Sequence, residues 1–181
     1  MFWGQIMLKN VIFKKPGFLL NKKSITELKQ MADLATNKRA RYNLHTSYID
    51  IPQKMIIALH KDTCVLPQHQ NGSKKLYEMI EGKMCILFFN AYGKVVKKII
   101  LNRNNISDEG ILYSFISSDW HATIPLSEYV VFLEIIETTF NQNSTVMANW
   151  VPDLDDISIF NDEEYNTFMN WRMNLISQQA D

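Results

Sequence analysis

The sequence predicts an all-β fold of the barrel or sandwich type with a helix near each end. Short apolar segments follow one another through the middle of the chain, turn residues separate them, and helical periodicity is confined to the two ends. The 181 residues, 46% of them hydrophobic, suffice for one domain with a sizeable core. We expect a single domain over residues 1–181, with a strand and a helix in 1–40, the barrel in 41–155 and a helix in 156–181.

The first helix is predicted over residues 24–36. Ser24 and Glu27 have the spacing of a capping box, and the apolar residues that follow recur at helical spacing. Asn37 can end the helix. The apolar residues at the start of the chain are interpreted as a first strand, not a signal peptide, because Lys9 interrupts them and no basic region precedes them.

Eight short strands are predicted after this helix. Turn residues such as Asn71-Gly72-Ser73 and Glu81-Gly82 separate neighbouring apolar runs. The predicted strands are 53–59, 63–67, 75–80, 84–90, 95–101, 111–116, 121–124 and 129–137. Strands this short and closely spaced favour an antiparallel barrel or sandwich.

The C-terminal helix is predicted to have one largely apolar face. Asn161 or Asp162 can cap it, and acidic residues occupy its first turn. The residues that share this face are Tyr165, Phe168, Met169, Arg172, Leu175 and Ile176. Such a face must be covered, either by the strands of the same chain or by a second copy.

The charge balance gives no reason to expect nucleic acid or an anionic membrane as a partner. Basic and acidic residues number 19 each, so the chain has no cationic excess. No apolar run is long enough to cross a bilayer. Cys64 and Cys85 lie in separate apolar stretches and are interpreted as two buried thiols in a reducing compartment. We therefore expect a cytoplasmic location.

Several motifs, in order and spacing, resemble the WbuC family of cupins over roughly residues 20 to 155. An Arg-x-Asn-x-His element is followed by a strand with a Gln, a Pro and Gly that bound a hairpin, a Trp-His pair, a strand with a Glu, and an Ala-x-Trp-x-Pro element. These residues are Arg41, Asn43, His45, Gln53, Pro67, Gly82, Trp120, His121, Glu134, Ala148, Trp150 and Pro152.

The resemblance implies a cupin jelly-roll barrel, in which two antiparallel sheets surround a central pocket, often in a homodimer. It also implies a role in making bacterial surface polysaccharide, either lipopolysaccharide O-antigen or capsule. Its members are described as metalloproteins. Their metal site takes His-x-His from one strand, Glu from the next and His from a later strand.

This chain departs from that metal pattern at three of its four positions. The two histidines are replaced by Gln68 and Gln70, the glutamate is replaced by Lys75, and the later histidine is retained as His121. Amides are poor ligands for iron, zinc or manganese, and an ammonium has no lone pair, so no metal cofactor is expected. The alternative is a divalent metal on non-standard ligands, with a shifted register that uses His69 and Glu78.

Lys75 is predicted to stand where the cation of related proteins sits, flanked by the two glutamines and His121. The resulting cationic pocket suits sugar hydroxyls, a carboxylate or a phosphate. Two plainer interpretations remain open. Lys75 could be an edge lysine that reaches solvent or pairs with Glu134, and the glutamines could be the remnant of a lost site.

The predicted catalytic residues are His121, Tyr77 and Lys75. His121 would act as acid or base, because a histidine titrates near neutral pH, Tyr77 would complement it, and Lys75 or Arg41 would hold negative charge. The predicted ligand-binding residues are Arg41, Asn43, His45, Gln68, Gln70, Trp120 and Glu134. Alternatively, His121 is a buried histidine held by a carbonyl, and the residues from Arg41 to His45 are a structural link to the first helix.

Three functions follow from this set. The first is a metal-independent enzyme that isomerises or epimerises a sugar or sugar nucleotide. The second is a non-catalytic cupin that binds carbohydrate or regulates, and the third is a metal protein with unusual ligands. Fold analogy alone does not decide among them.

Overall fold

The computed structural model describes residues 10–70, 72–105, 109–139, 145–151 and 162–177 as eleven strands and two helices. In chain order these are β1 (Val11–Phe13), α1 (Lys22–Leu34), β2 (Arg39–Asn43), β3 (Gln53–His60), β4 (Gln68–Gln70), β5 (Lys74–Glu81), β6 (Lys83–Phe89), β7 (Val95–Asn102), β8 (Leu112–Ile116), β9 (Trp120–Pro125), β10 (Tyr129–Ile136), β11 (Thr145–Met147) and α2 (Asp162–Ser177). The chain is mostly sheet with two helices, as predicted, although the placement of the helices matches the prediction only in part.

The strands form two sheets. One has the order β1-β2-β3-β10-β5-β8 and the other β11-β4-β9-β6-β7, and every pairing is antiparallel except that of β1 with β2. Apolar side chains from both sheets meet in one core, among them Met79, Ile86 and Phe132. No strand pairing joins the two sheets in the part of the chain that the structure describes. The predicted jelly-roll barrel is therefore confirmed only as far as its two facing sheets, which form a sandwich and do not close into a barrel.

Helix α1 covers the outer face of the six-stranded sheet. Leu28 and Ala32 are buried against Tyr42 and other residues of β2, β3 and β10. The helix begins earlier than predicted, because Asn21 is the N-cap and its side-chain oxygen accepts a bond of 3.1 Å from the Ser24 amide. The predicted capping box at Ser24 and Glu27 is thus replaced by one at Asn21 and Ser24, and the helix ends at Leu34.

Helix α2 packs on the five-stranded sheet of its own chain. Leu175 joins the apolar cluster of β6, β7 and β9, and Phe168 is buried against Cys64 and Leu66. The predicted strand over 63–67 is wrong, since this run has no strand pairing and packs beneath α2 instead. Of the two proposed caps, Asn161 lies outside the described residues.

Two further expectations concern the cysteines and the membrane. Cys64 and Cys85 are buried free thiols, and burial raises their pKa to about 12 and about 11. Neither described helix is long and apolar enough to cross a membrane.

We expect Gly82→Ala to destabilise the fold more than Gly17→Ala. Both glycines have a positive φ, 84° and 88°, so alanine is strained at each. At Gly82 a methyl group would also overlap the Tyr129 carbonyl and the Ser127 hydroxyl, whereas nothing lies within 4 Å at Gly17. Urea denaturation should give a difference of about 1–3 kcal/mol between the two variants. Equal losses would contradict the packing described for the β5–β6 hairpin.

Candidate functional site

A cavity of about 300 Å³ lies between the two sheets, next to their apolar core. Most of its polar wall comes from β2, β4, β5 and β10. Alternation explains which side chains reach it, because successive residues of a strand point to opposite faces. In β2, Arg39, Arg41 and Asn43 line the cavity, whereas the intervening Tyr42 packs beneath α1.

Lys75 lies at the centre of a buried polar cluster on this wall. Its side chain is 2% exposed, and its Nζ lies 3.4 Å from Oε1 of Glu134 and 3.5 Å from Nε2 of His121. Strand register brings these groups together, since Lys75 pairs with Ile136 on β10 and Glu134 of that strand pairs with Tyr77. The ammonium is thus inside the fold, and it is paired with Glu134.

His121 lies behind Lys75 and does not belong to the cavity wall. It is 1% exposed, and its Nδ1 lies 2.7 Å from the carbonyl oxygen of Asp119. Because that oxygen can only accept, Nδ1 carries the proton, and the lone pair of Nε2 faces the Lys75 ammonium. Burial and then the Lys75 charge lower the pKa of His121 to about 3. The ring is therefore neutral at pH 7, unlike the near-neutral titration expected from the sequence.

Tyr77 is also held in its un-ionised form. Its side chain is buried on the cavity wall, where burial and then Glu134 raise the pKa of the phenol well above its usual value. Thr123 acts in the opposite direction and lowers that pKa. Glu134 thus interacts with both Tyr77 and the Lys75 ammonium.

Gln68 and Gln70 reach the cavity from β4, as the alternation of that strand predicts. Gln68 pairs in register with His121, which places it next to the Lys75 cluster. The Nε2 of Gln70 donates to the Thr145 hydroxyl at 2.9 Å, while its buried Oε1 has no partner among the described residues. An acceptor is therefore available on this side of the cavity.

The wall formed by β2 has the highest concentration of unsatisfied polar atoms. In the described part of the chain, Nε of Arg41, both amide atoms of Asn43 and Nε2 of His45 are buried without a hydrogen-bond partner. Each such group costs about 1–3 kcal/mol when it is left unpaired. Buried polar groups that face a cavity in this way are typical of a site that a ligand or water completes.

Arg39 was missed by the sequence analysis. It precedes Arg41 by two residues on β2, so it shares the same face and lines the cavity. Its side chain is exposed, yet the surrounding protein and then Arg41 lower the pKa of its guanidinium, while Glu134 acts in the opposite direction. The signal was available, since the alternation that turns Arg41 inward also turns Arg39 inward.

The structure does not bring Trp120 into the cavity. Trp120 precedes the inward-pointing His121 and so points to the outer face of its sheet. There its ring lies 4.3 Å from that of His69 and 6.1 Å from that of Trp150. These residues pack against the sheet that also carries α2.

The donor set around Lys75 does not fit a transition metal. This side of the cavity carries the two amides of Gln68 and Gln70 and the Lys75 ammonium, and the lone pair of His121 is directed at that ammonium. Among the described residues no group of three His, Cys, Asp or Glu side chains could hold an ion. His69, needed by the alternative register, contacts Trp120 on the outer face.

Comparison with known proteins supports the fold and leaves the activity open. Residues 20–101, less than half of the chain, match a family described as a domain of unknown function, DUF6016. No curated protein matches the sequence.

The structural neighbours include cupin superfamily and double-stranded β-helix proteins. A Shewanella oneidensis protein is similar over 79% of this chain and 87% of its own, with a TM-score of 0.50 and 8% identity. A double-stranded β-helix protein of Klebsiella pneumoniae has a TM-score of 0.45 and 12% identity, and the match covers 61% of this chain and 84% of that protein. A cupin superfamily protein of Desulfitobacterium hafniense has a TM-score of 0.42 and 18% identity, and the match covers 58% of this chain and 80% of that protein. Other matches span 22% to 52% of the other protein's length.

We expect Lys75→Met to lower the free energy of unfolding by about 3–5 kcal/mol, because Glu134 would remain buried without its cation. The double variant Lys75→Met, Glu134→Gln should recover most of this loss, since neither charge is then buried alone. Urea denaturation of the wild type, both single variants and the double variant gives the interaction free energy between Lys75 and Glu134. A Lys75→Met protein as stable as the wild type would show that the pair is not buried as described.

His121 should make the fold sensitive to acid. Its folded pKa of about 3 lies below the unfolded value of about 6.5, so only the unfolded state takes up this proton as the pH falls between them. Between about pH 7 and about pH 5 the wild type should lose about 2 kcal/mol more stability than His121→Asn. Denaturation of both proteins at the two pH values measures this, and parallel losses would mean that His121 is protonated in the folded state.

Proposed function

We propose that this protein is a cupin of the WbuC type that binds a sugar or sugar nucleotide in the cavity between its sheets without a metal. The fold, the ordered motifs and the polar cavity all support this proposal. The setting implied by the resemblance is bacterial surface polysaccharide biosynthesis, and the homodimer and cytoplasmic location remain predictions.

One observation carries the proposal. The resemblance assigns Lys75 to a position that holds a metal ligand in WbuC-type cupins, and its ammonium is buried 3.4 Å from Oε1 of Glu134 and 3.5 Å from Nε2 of His121. The ammonium and the Glu134 carboxylate offset each other's charge, so the pair presents a fixed donor and acceptor to the cavity without needing an open coordination position. Around it the cavity offers amides, hydroxyls and guanidinium groups, which are the groups that recognise sugars.

Binding is favoured over catalysis by the state of the two candidate proton-transfer groups. The lowered pKa of His121 makes it a weak base, and the raised pKa of Tyr77 makes it a weak acid. An isomerase or epimerase needs groups that exchange protons near the working pH. The cavity is therefore better suited to holding a ligand than to moving its protons.

The test is ligand binding by protein that has been treated with a chelator and then dialysed. Neutral monosaccharides, sugar acids, sugar phosphates and nucleotide sugars are screened by thermal shift, and any hit is quantified by calorimetry. We expect stabilisation by at least one class, growing with concentration as mass action requires, and unchanged when the chelator is present.

Two results would contradict the proposal. The first is binding that appears only after iron, zinc, manganese or nickel is added. The second is product formation that His121→Ala abolishes while ligand affinity is kept, since that outcome would make the protein an enzyme in which His121 is catalytic.

A further inference from the structure

We infer that the ligand carries an anionic group, a carboxylate or a phosphate, and that Arg41 and Arg39 on β2 hold it. This inference rests on the proposed function and adds to it the class of ligand and the side of the cavity that reads the charge. The ligand is then an anionic monosaccharide, not a neutral sugar.

Lys75 and the two arginines of the cavity wall differ in whether a carboxylate offsets their charge. Lys75 has a carboxylate partner, Glu134, at 3.4 Å. Neither arginine forms an ion pair within 4.0 Å among the described residues, and Glu134 is the sole carboxylate in the described wall. The wall therefore carries a cationic excess, and this excess is on β2.

The two arginines share one face of a strand. Arg39 and Arg41 lie two residues apart on β2, and desolvation by the surrounding protein and then the charge of Arg41 lower the pKa of Arg39, against an opposing effect of Glu134. An anion between them would relieve this repulsion, and guanidinium groups match the geometry of carboxylate and phosphate oxygens.

Unpartnered polar atoms next to the arginines mark the same place. Asn43 is 0% exposed and His45 5% exposed, and both line the cavity. Both amide atoms of Asn43, Nε2 of His45 and Nε of Arg41 lack partners among the described residues. An amide that can donate and accept, beside a free guanidinium nitrogen, fits a hydroxyl next to an anionic group.

The size of the cavity sets the size of the ligand. At about 300 Å³ it is at the lower end of small-molecule sites, which run from about 300 to about 1,000 Å³. Register places Asn43 opposite Met55 and Met55 opposite Glu134, so two strand spacings, roughly 10 Å, separate the β2 wall from the Lys75 cluster. One sugar ring with its substituents spans this distance, whereas a nucleotide would have to lie outside.

The experiment titrates full-length protein with inorganic phosphate, glucuronate, glucose 1-phosphate and neutral glucose at constant ionic strength. Binding is followed by calorimetry and by the backbone amide NMR signals of residues 39–45. Arg41→Gln is the test variant, and Arg41→Lys keeps the charge while removing the planar fork. Arg103→Gln is the matched control, because Arg103 is exposed and lies outside the cavity.

We expect phosphate or glucuronate to shift the signals of β2. Arg41→Gln should weaken that binding by at least about tenfold, the loss expected for a charge-assisted hydrogen bond, whereas Arg103→Gln should leave it unchanged. Partial retention in Arg41→Lys also supports the inference. Stronger binding of inorganic phosphate and glucose 1-phosphate identifies a phosphate, and stronger binding of glucuronate identifies a carboxylate.

Two results overturn the inference. If glucose binds as tightly as the anionic sugars and Arg41→Gln does not change this, the anion subsite is absent and the proposed sugar binding stands. If no anion binds at millimolar concentration to wild-type protein, the inference fails whatever neutral sugars do.

Discussion

The buried contact of the Lys75 ammonium with Glu134 and His121 determines what the space between the sheets can hold. An ammonium inside a protein is tolerated only when opposite charge and hydrogen-bond acceptors surround it. Here Glu134 supplies the charge and the neutral His121 ring supplies a lone pair. The Lys75 charge adds to the effect of burial in lowering the pKa of His121, whereas the arginines of β2 form no ion pair among the described residues.

The sandwich makes this arrangement possible by separating inner and outer faces. Helix α1 covers the outer face of the six-stranded sheet and α2 packs on the five-stranded sheet, so apolar side chains are buried on both sides of the strands. The inner faces are then free to carry polar residues beside the apolar core. Most of the polar wall stands on the paired strands β2, β4, β5 and β10, which fixes the backbone from which these side chains project.

Much of this could be predicted from the sequence, because alternation along a strand is a local property. Together with the resemblance to the cupins, alternation placed Gln68, Gln70 and Lys75 on the cavity side. The same rule applied to β2 would have added Arg39, and applied to β9 it would have turned Trp120 outward. Features that depend on distant contacts could not be predicted. The run 63–67 resembles a strand because it is apolar, yet what buries it is α2, from the far end of the chain.

The protonation states of the site residues also depend on distant contacts and could not be predicted from the sequence. A histidine in a sequence is expected to titrate near neutrality, and only its burial beside a fixed ammonium makes His121 a neutral acceptor. The neutral tautomer with its proton on Nδ1 thus has a cause in packing. The separation of the two sheets and the unsatisfied atoms of β2 also depend on how the elements pack against one another.

The most direct test of this account is the nitrogen NMR spectrum of the His121 ring, recorded without added metal near pH 5. The account predicts a neutral ring protonated on Nδ1, whose Nε2 signal moves when Lys75 is replaced by methionine. A charged ring, a proton on Nε2, or an Nε2 signal displaced by a bound metal would contradict it.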